Sequence, residues 1–356
     1  MKADEIQDQF EKYSKRREYF IILNFFLIPI FIILGISFGP FEINFFEIIK
    51  VLFGGGERVQ GLIIWNIRMP RVLSALLAGV ALALAGVAMQ SILRNPLGSP
   101  FTLGTSQAAV LGVAFAIIIL GSGSLQSGST DAVLINNPYS VTVWAFIFSL
   151  FSTIIVLILV KFKNAKPETM ILTGVILGSL FSALTTALMY FASDVQIASI
   201  IFWTFGDLSR ATWTKFFILS AIILPSLIYF MRNGWNYNVL NSGDETAESL
   251  GVNTERLRIT GMIIASLTVS VVVAFFGIIA FVGLVVPHIV RRIIGADERY
   301  LIPASALFGG LFLLIADTIA RTIISPIILP IGILTSFLGA PMFLYLLLKK
   351  EQSGYW

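Results

Sequence analysis

The sequence predicts an all-α integral membrane protein of about ten transmembrane helices, with both termini in the cytoplasm. Three observations carry this expectation. Of the 356 residues, 57% are hydrophobic and only 12% charged, whereas soluble domains carry about 25% charged residues; mean hydropathy is +0.90. Apolar runs long enough to cross a hydrocarbon core, at about 20 residues each, recur along the whole chain. Lys and Arg are shared unevenly among the segments that separate those runs.

The first 17 residues are polar and end in the basic cluster Lys15-Arg16-Arg17. The apolar run that follows has no small-residue cleavage site, so it reads as a retained helix over 18–37. Further apolar segments lie at 72–92, 101–120, 141–160, 169–191, 213–231, 259–280, 282–292, 300–318 and 328–348. The chain thus divides into a tail 1–17, a membrane domain 18–348 and a tail 349–356. Residues 259–290 are almost continuously apolar. A single helix there would be roughly 48 Å long, against a hydrocarbon core of about 30 Å. Gly277, Gly283 and Pro287 offer places to break it, so two segments joined by a tight turn are expected.

Charge supports the same count. With a cytoplasmic N-terminus, ten crossings place 1–17, 93–100, 161–168, 232–258, 291–299 and 349–356 inside. Those segments hold 17 of the 24 Lys and Arg residues, and 7 lie elsewhere. Merging 259–290 would move Arg291, Arg292, Arg299, Lys349 and Lys350 outside, against the positive-inside rule. Segments 2–5 and 7–10 form two sets of four offset by five crossings, so a structural repeat between them would be inverted. The basic balance follows from these loops and does not imply nucleic acid; the partner that the composition implies is membrane lipid. Cysteine is absent, which excludes disulfides and thiolate metal sites.

Small residues recur in segment two, at Ala75, Gly79, Ala83 and Gly86, as they do where helix backbones approach closely. The single histidine, His288, excludes a histidine metal cluster and reads as a packing or capping residue before a proton carrier. No P-loop and no paired catalytic groups are present. Asp317 is the one acidic candidate for ion coupling, but Arg321 lies one turn on and can pair with it. Arg68 and Arg71, three residues apart and so on one helix face, fall with Arg321 on the outer side, where basic residues are scarce. Headgroup anchoring is one reading of them. The longest inner loop, 232–258, contains "SGDETAESLGVNTERLR" and predicts two short helices, capped at Ser242 or Asp244 and at Asn253 or Thr254, with Gly251 ending the first. Such a loop is either a solvated connection or a docking element. "RNPLGSP" at 94–100 reads as a rigid turn, and the Ser/Gly-rich loop 121–140 as a linker.

The spacing Glu245-x-Ala247-x-x-x-Gly251 follows the E-A-A-x-x-x-G loop that ABC importer permeases present to their ATPase. "RMPRVLSALLAGVALALAGVAMQSILRNPLGSPFTLGTSQAA" (68–109), "ILTGVILG" (171–178), "GLVVPHIVRRIIGADERYLIPASALFGGLFLLIADTIAR" (283–321) and "LPIGILTSFLGAPMFLYLL" (329–347) resemble the FecCD-type permeases of type II ABC importers, which carry iron-siderophore, haem and cobalamin. The resemblance spans roughly 60–348 and implies ten helices per subunit. It also implies a non-catalytic subunit working as a homodimer or close heterodimer in a prokaryotic cytoplasmic membrane. A pair of ABC ATPase subunits would dock on 242–258 through Asp244, Glu245, Ala247 and Gly251, and would bind the ATP and Mg, so that no cofactor sits in this chain. An extracytoplasmic binding protein would dock on Arg68, Arg71 and Arg321. A ferric siderophore is the first expectation for cargo, with cobalamin, haem and molybdate as alternatives; an ion-coupled secondary transporter using Asp317 is the rival. The inner gate would fall at Pro167, Glu168 and Thr169. There the sequence departs from the family's small hydroxyl residues, as the tail 1–17 and the loop 121–140 depart from its motifs.

Overall fold

The computed structural model describes residues 3–39, 43–124, 134–135, 137–163, 167–325 and 327–348. The C-terminal tail and half of the loop 121–140 therefore lie outside the described residues. α1 (Ala3–Ser37) runs without interruption through the boundary expected after residue 17. α2 (Phe45–Leu52) is followed by α3 (Arg58–Leu62), a π-helical turn (Ile63–Arg68) and α4 (Met69–Ile92). The last three form one continuous span of 35 residues. α5 (Thr105–Ala114) extends through a second π turn, Phe115–Ile119. A ladder of two-residue strands pairs Gly123–Ser124 with Leu134–Ile135. Then come α6 (Pro138–Lys163), α7 (Pro167–Tyr190), α8 (Asp194–Thr204) and α9 (Trp213–Arg232). The inner loop holds α10 (Gly234–Asn241) and α11 (Asp244–Ser249). α12 (Thr254–Phe276), α13 (Val282–Ile294), α14 (Glu298–Thr322) and α15 (Ile331–Leu348) complete the chain.

Each of the ten expected segments is a helix, and both sets of four are present. Among the described residues, seven helices are long and apolar enough to cross a membrane; Thr105–Ile119 and Ile331–Tyr345 are shorter apolar helices. The break expected in 259–290 lies at residues 277–281, between α12 and α13. Gly277, which ends α12, has φ +78, and Phe281, which precedes α13, has φ +65, a backbone state uncommon for a residue with a side chain. α13, at 13 residues, spans only about 20 Å. The sequence reading missed α8, a short helix capped by Ser193, because its apolar run is too short to resemble a crossing.

Burial sorts the helices into centre and rim. In the span Arg58–Ile92, 78% of the apolar window is buried, against 22% in Pro167–Tyr190. α4, α12 and α14 form the centre, and α1, α7 and α9 the rim. Glycines set the closeness at the centre. A Cβ on Gly79 would stand 2.8 Å from the Gly309 carbonyl carbon on α14, and one on Gly86 would stand 2.6 Å from the Gly283 carbonyl carbon on α13. Only hydrogen fits at these crossings, which is the packing expected for small residues between membrane helices.

The charged groups separate to two ends of the bundle. Arg17, Arg94, Asp244, Arg258, Arg291, Asp297 and Glu298 interact at one end. Arg68, Arg71, Asp317 and Arg321 gather at the other. This is the partition that the inner and outer segments required.

Candidate functional site

The outer arginines are built by a local conflict in the backbone. Pro70 has no N–H to continue the helix, and the chain responds with the π turn 63–68, where the Met69 amide donates to the Ile64 carbonyl. The Trp65 carbonyl is thereby released from the regular ladder, and the Trp213 indole N–H of α9 donates to it at 2.8 Å. The turn delivers Arg68 and Arg71 toward α14. Arg71 grips Asp317 with Nε and Nη2 at 2.8–3.2 Å, and the Arg321 Nε lies 3.0 Å from the same carboxylate.

These arginines are not presented to the exterior. Arg68, Arg71 and Arg321 are 5%, 6% and 3% exposed. The last carbonyls of a helix have no partner within it and carry partial negative charge. At the end of α1 the arginines supply the partners: Arg321 donates to Gly35 O at 2.8 Å and Phe38 O at 3.0 Å. Arg68 donates to Ser37 O at 2.9 Å and to Ile36 O. The three residues expected to meet a binding protein are thus engaged within the chain. Here they cap α1 and fasten it to α4 and α14, a long-range role that residue spacing cannot show. The expected Asp317–Arg321 pair is present; its second partner, Arg71, lies 246 positions away and was missed.

At the opposite end, α11 stands out from the bundle on a defined brace. Asp244 accepts from both Nη atoms of Arg258, at 2.9 and 2.8 Å, and pairs with Arg94. Arg94 has φ +44, an uncommon backbone state for a residue with a side chain. The Leu97 amide donates to Asn95 Oδ1 at 2.8 Å in the same turn. The turn 94–100 thus braces the loop as well as reversing the chain. Burial lowers the pKa of Arg94, helped by the charge of Arg258, while Glu168 opposes the shift. Ala247 is fully buried beneath α11, Glu245 is exposed and Leu250 is 64% exposed. Gly251 has φ +82 with open space around its Cα, and Asn253 caps α12 by accepting from the Arg256 amide at 2.8 Å. Among the four positions expected to contact an ATPase, Glu245 is exposed and open to a partner; Asp244 and Ala247 hold the element in place, and Gly251 turns it.

Pro167, Glu168 and Thr169 form the first turn of α7; Glu168 and Thr169 are exposed. Further along α7, the exposed residues Ser179, Ser182 and Thr186 share one helix face. A cavity of about 240 Å³ beside them is lined by Ser106, Gln107, Val110, Ser182, Thr185, Thr186 and Ile278. A second, of about 510 Å³, lies between Thr204, Phe205, Ile278, Gly332, Ser336 and Phe337, among others. Among the described residues, no ionisable side chain lines either. His288 is 8% exposed and its ring meets Phe343 edge-on at 6.2 Å, the packing role expected of it.

The model of the FecCD transport family matches residues 27–349. The chain belongs to the FecCD transport family. It is similar to an ABC transporter permease protein of Methanocaldococcus jannaschii, with 53% identity over 98% of this chain and 99% of the relative. It is 39% identical to the hemin transport system permease protein of Yersinia pestis, over 81% of this chain and 84% of that one. The solved inward-facing structure of a metal-chelate type ABC transporter superposes with a TM-score of 0.79 at 30% identity, covering 93% of this chain and 99% of the other. This FecCD-family chain is accordingly an integral membrane permease component of an ABC transporter.

Proposed function

We propose that this permease moves a metal chelate, a ferric siderophore in the first instance, inward across the cytoplasmic membrane of a prokaryote. A separate pair of ABC ATPase subunits binds ATP and Mg and supplies the energy, and a binding protein delivers the cargo at the outer end. The observation that carries this reading is α11: a short helix with Glu245 exposed and Leu250 exposed just after its end, locked through Asp244 to α12 and to the turn after α4. A mere connection has no need of two guanidinium groups on one carboxylate. A second copy of the chain is expected against the hydroxyl-bearing face of α7, closing the two cavities into a shared pathway. An uncharged lining suits passage without tight retention. Ion coupling through Asp317 is disfavoured, because two guanidinium groups already hold that carboxylate.

The test is a mild-detergent pull-down of the tagged chain with its native membrane partners, followed by uptake assays with a ferric siderophore, haem and cobalamin. Recovery of a Walker-type ATPase, lost on Glu245→Ala with Leu250→Asp, supports the reading. A chain recovered alone that still transports in ATP-free vesicles refutes it. Uptake of haem or cobalamin with no siderophore uptake would revise the cargo alone.

A further inference from the structure

Glu298 is the most completely enclosed carboxylate at the inner end, 1% exposed, and the transport reading above assigns it no task. Burial of a carboxylate is costly unless it is paired and hydrogen-bonded, and here one oxygen gathers the pairing from three other helices. Oε1 accepts from Ser91 Oγ of α4 at 2.8 Å and from Asn241 Nδ2 of α10 at 3.3 Å. It also lies 3.8 Å from Arg291 Nη2 of α13, whose Nη1 donates to Gln90 Oε1 of α4 at 3.0 Å. The backbone joins in: the Glu298 amide donates to Asn238 Oδ1 at 2.7 Å, and Asn238 Nδ2 donates to Asp297 Oδ1 at 2.7 Å. α10, which leads into the exposed α11, is thus tied to the start of α14 and the end of α4 through one side chain.

The cluster is also incompletely paired. Glu298 Oε2 and Gln90 Nε2, an acceptor and a donor, are both buried and make no hydrogen bond among the described residues. A fully satisfied buried network is rigid, whereas a spare donor and a spare acceptor leave other pairings open to it. Transmission between distant sites needs such a two-state element.

We infer that Glu298 is a positioning residue that transmits movement of α10 and α11 to α4 and α14, and hence to the inner mouth of the pathway. This rests on the proposed docking of an ATPase on α11. Neither a packing role nor a cap requires donors from α4, α10 and α13 to converge on one oxygen.

The test uses the assembled transporter in nanodiscs. The chain contains no cysteine, so Ser249→Cys on α11 and Thr169→Cys on α7, both exposed, give specific spin-label sites. Their separation is read by pulsed electron resonance with and without ATP and Mg. Wild type is expected to shift its distance distribution on ATP addition. Glu298→Gln keeps the shape but not the charge, and is expected to lose that shift while ATP hydrolysis continues. The population moved by ATP should fall at least about fivefold, the lower end of couplings between sites. Ser91→Ala removes one donor to the same oxygen and gives a smaller loss in the same direction, and it reads the node if Glu298→Gln assembles poorly. A wild-type shift in both variants overturns the inference, as does a wild type that hydrolyses ATP without moving the labels. A wild type that binds no ATPase removes the transport reading and this inference together.

Discussion

Replacing Asp317 by Asn tests the outer cluster most directly. The side chain keeps its shape, and one negative charge is removed from among three guanidinium groups. Asp317 is fully buried and accepts from Arg71 at 2.8–3.2 Å, with the Arg321 Nε at 3.0 Å. The remaining acceptors for those arginines are the carbonyls at the end of α1, and they are already engaged. Breaking a buried ion pair by removing one partner costs about 3–5 kcal/mol. At an unfolding entropy of about 2.1 cal/mol/K per residue, a 356-residue chain loses about 1.3 °C per kcal/mol, so the variant should melt roughly 4–7 °C lower. The assay is the temperature at which the solubilised permease leaves its monodisperse chromatographic peak. Arg71→Ala combined with Asp317→Asn should cost less than the sum of the two single changes, because the carboxylate and its bidentate partner leave together. A single variant melting within about 2 °C of wild type would refute the assignment of Asp317 as the electrostatic centre of the outer end. Loss of ion-dependent transport at unchanged stability would instead favour the coupling rival.

Three further outcomes follow from the geometry. Gly86→Ala places a Cβ 2.6 Å from the Gly283 carbonyl carbon, so α4 and α13 must part; a loss of about 1–3 kcal/mol is expected, and an unchanged melting temperature would show that the crossing is loose. Gly251→Ala meets open space but must hold φ +82, at a cost of about 1–2 kcal/mol; ATPase recovery in the pull-down should weaken while the membrane bundle melts as before, and recovery at the wild-type level would remove Gly251 from the docking element. Burial pushes the Asp297 carboxyl up, but hydrogen bonds from Arg299 and Asn238 outweigh it and hold the pKa at about 2, below the ordinary 3.8. Its contribution is therefore complete above the unfolded value and is lost as pH falls from about 3.8 toward 2; melting curves from pH 7 to 3 should fall more steeply for wild type than for Asp297→Asn, and parallel curves would contradict the assignment.

Membrane insertion, ten helical segments and the separation of two charged ends were legible in the sequence. Apolar run length and the placement of Lys and Arg are local properties, each readable without knowing what touches what. The break near Gly277 was legible because bilayer thickness forbids a longer helix, and the Gly79 and Gly86 crossings because only glycine lets two backbones approach so closely. In the loop 242–258 the short helix ending at Gly251 and the cap at Asn253 were legible from their turn and capping residues.

Only the tertiary structure decided what the arginines do. A guanidinium on the outer side of a membrane reads from sequence as a surface charge. Folding instead brings the unsatisfied carbonyls of α1 beside it, and these attract the cation more strongly than solvent exposure rewards it. Likewise the convergence of Ser91, Asn241 and Arg291 on Glu298 depends on helix ends separated by up to 207 positions. No period or motif encodes such a meeting, because hydrogen bonds between distant segments are chosen by the packing of the centre. The sequence by itself determined that this chain crosses a membrane and where its inner loop forms a short helix. The packed bundle determined which of its charges stay exposed and which hold it together.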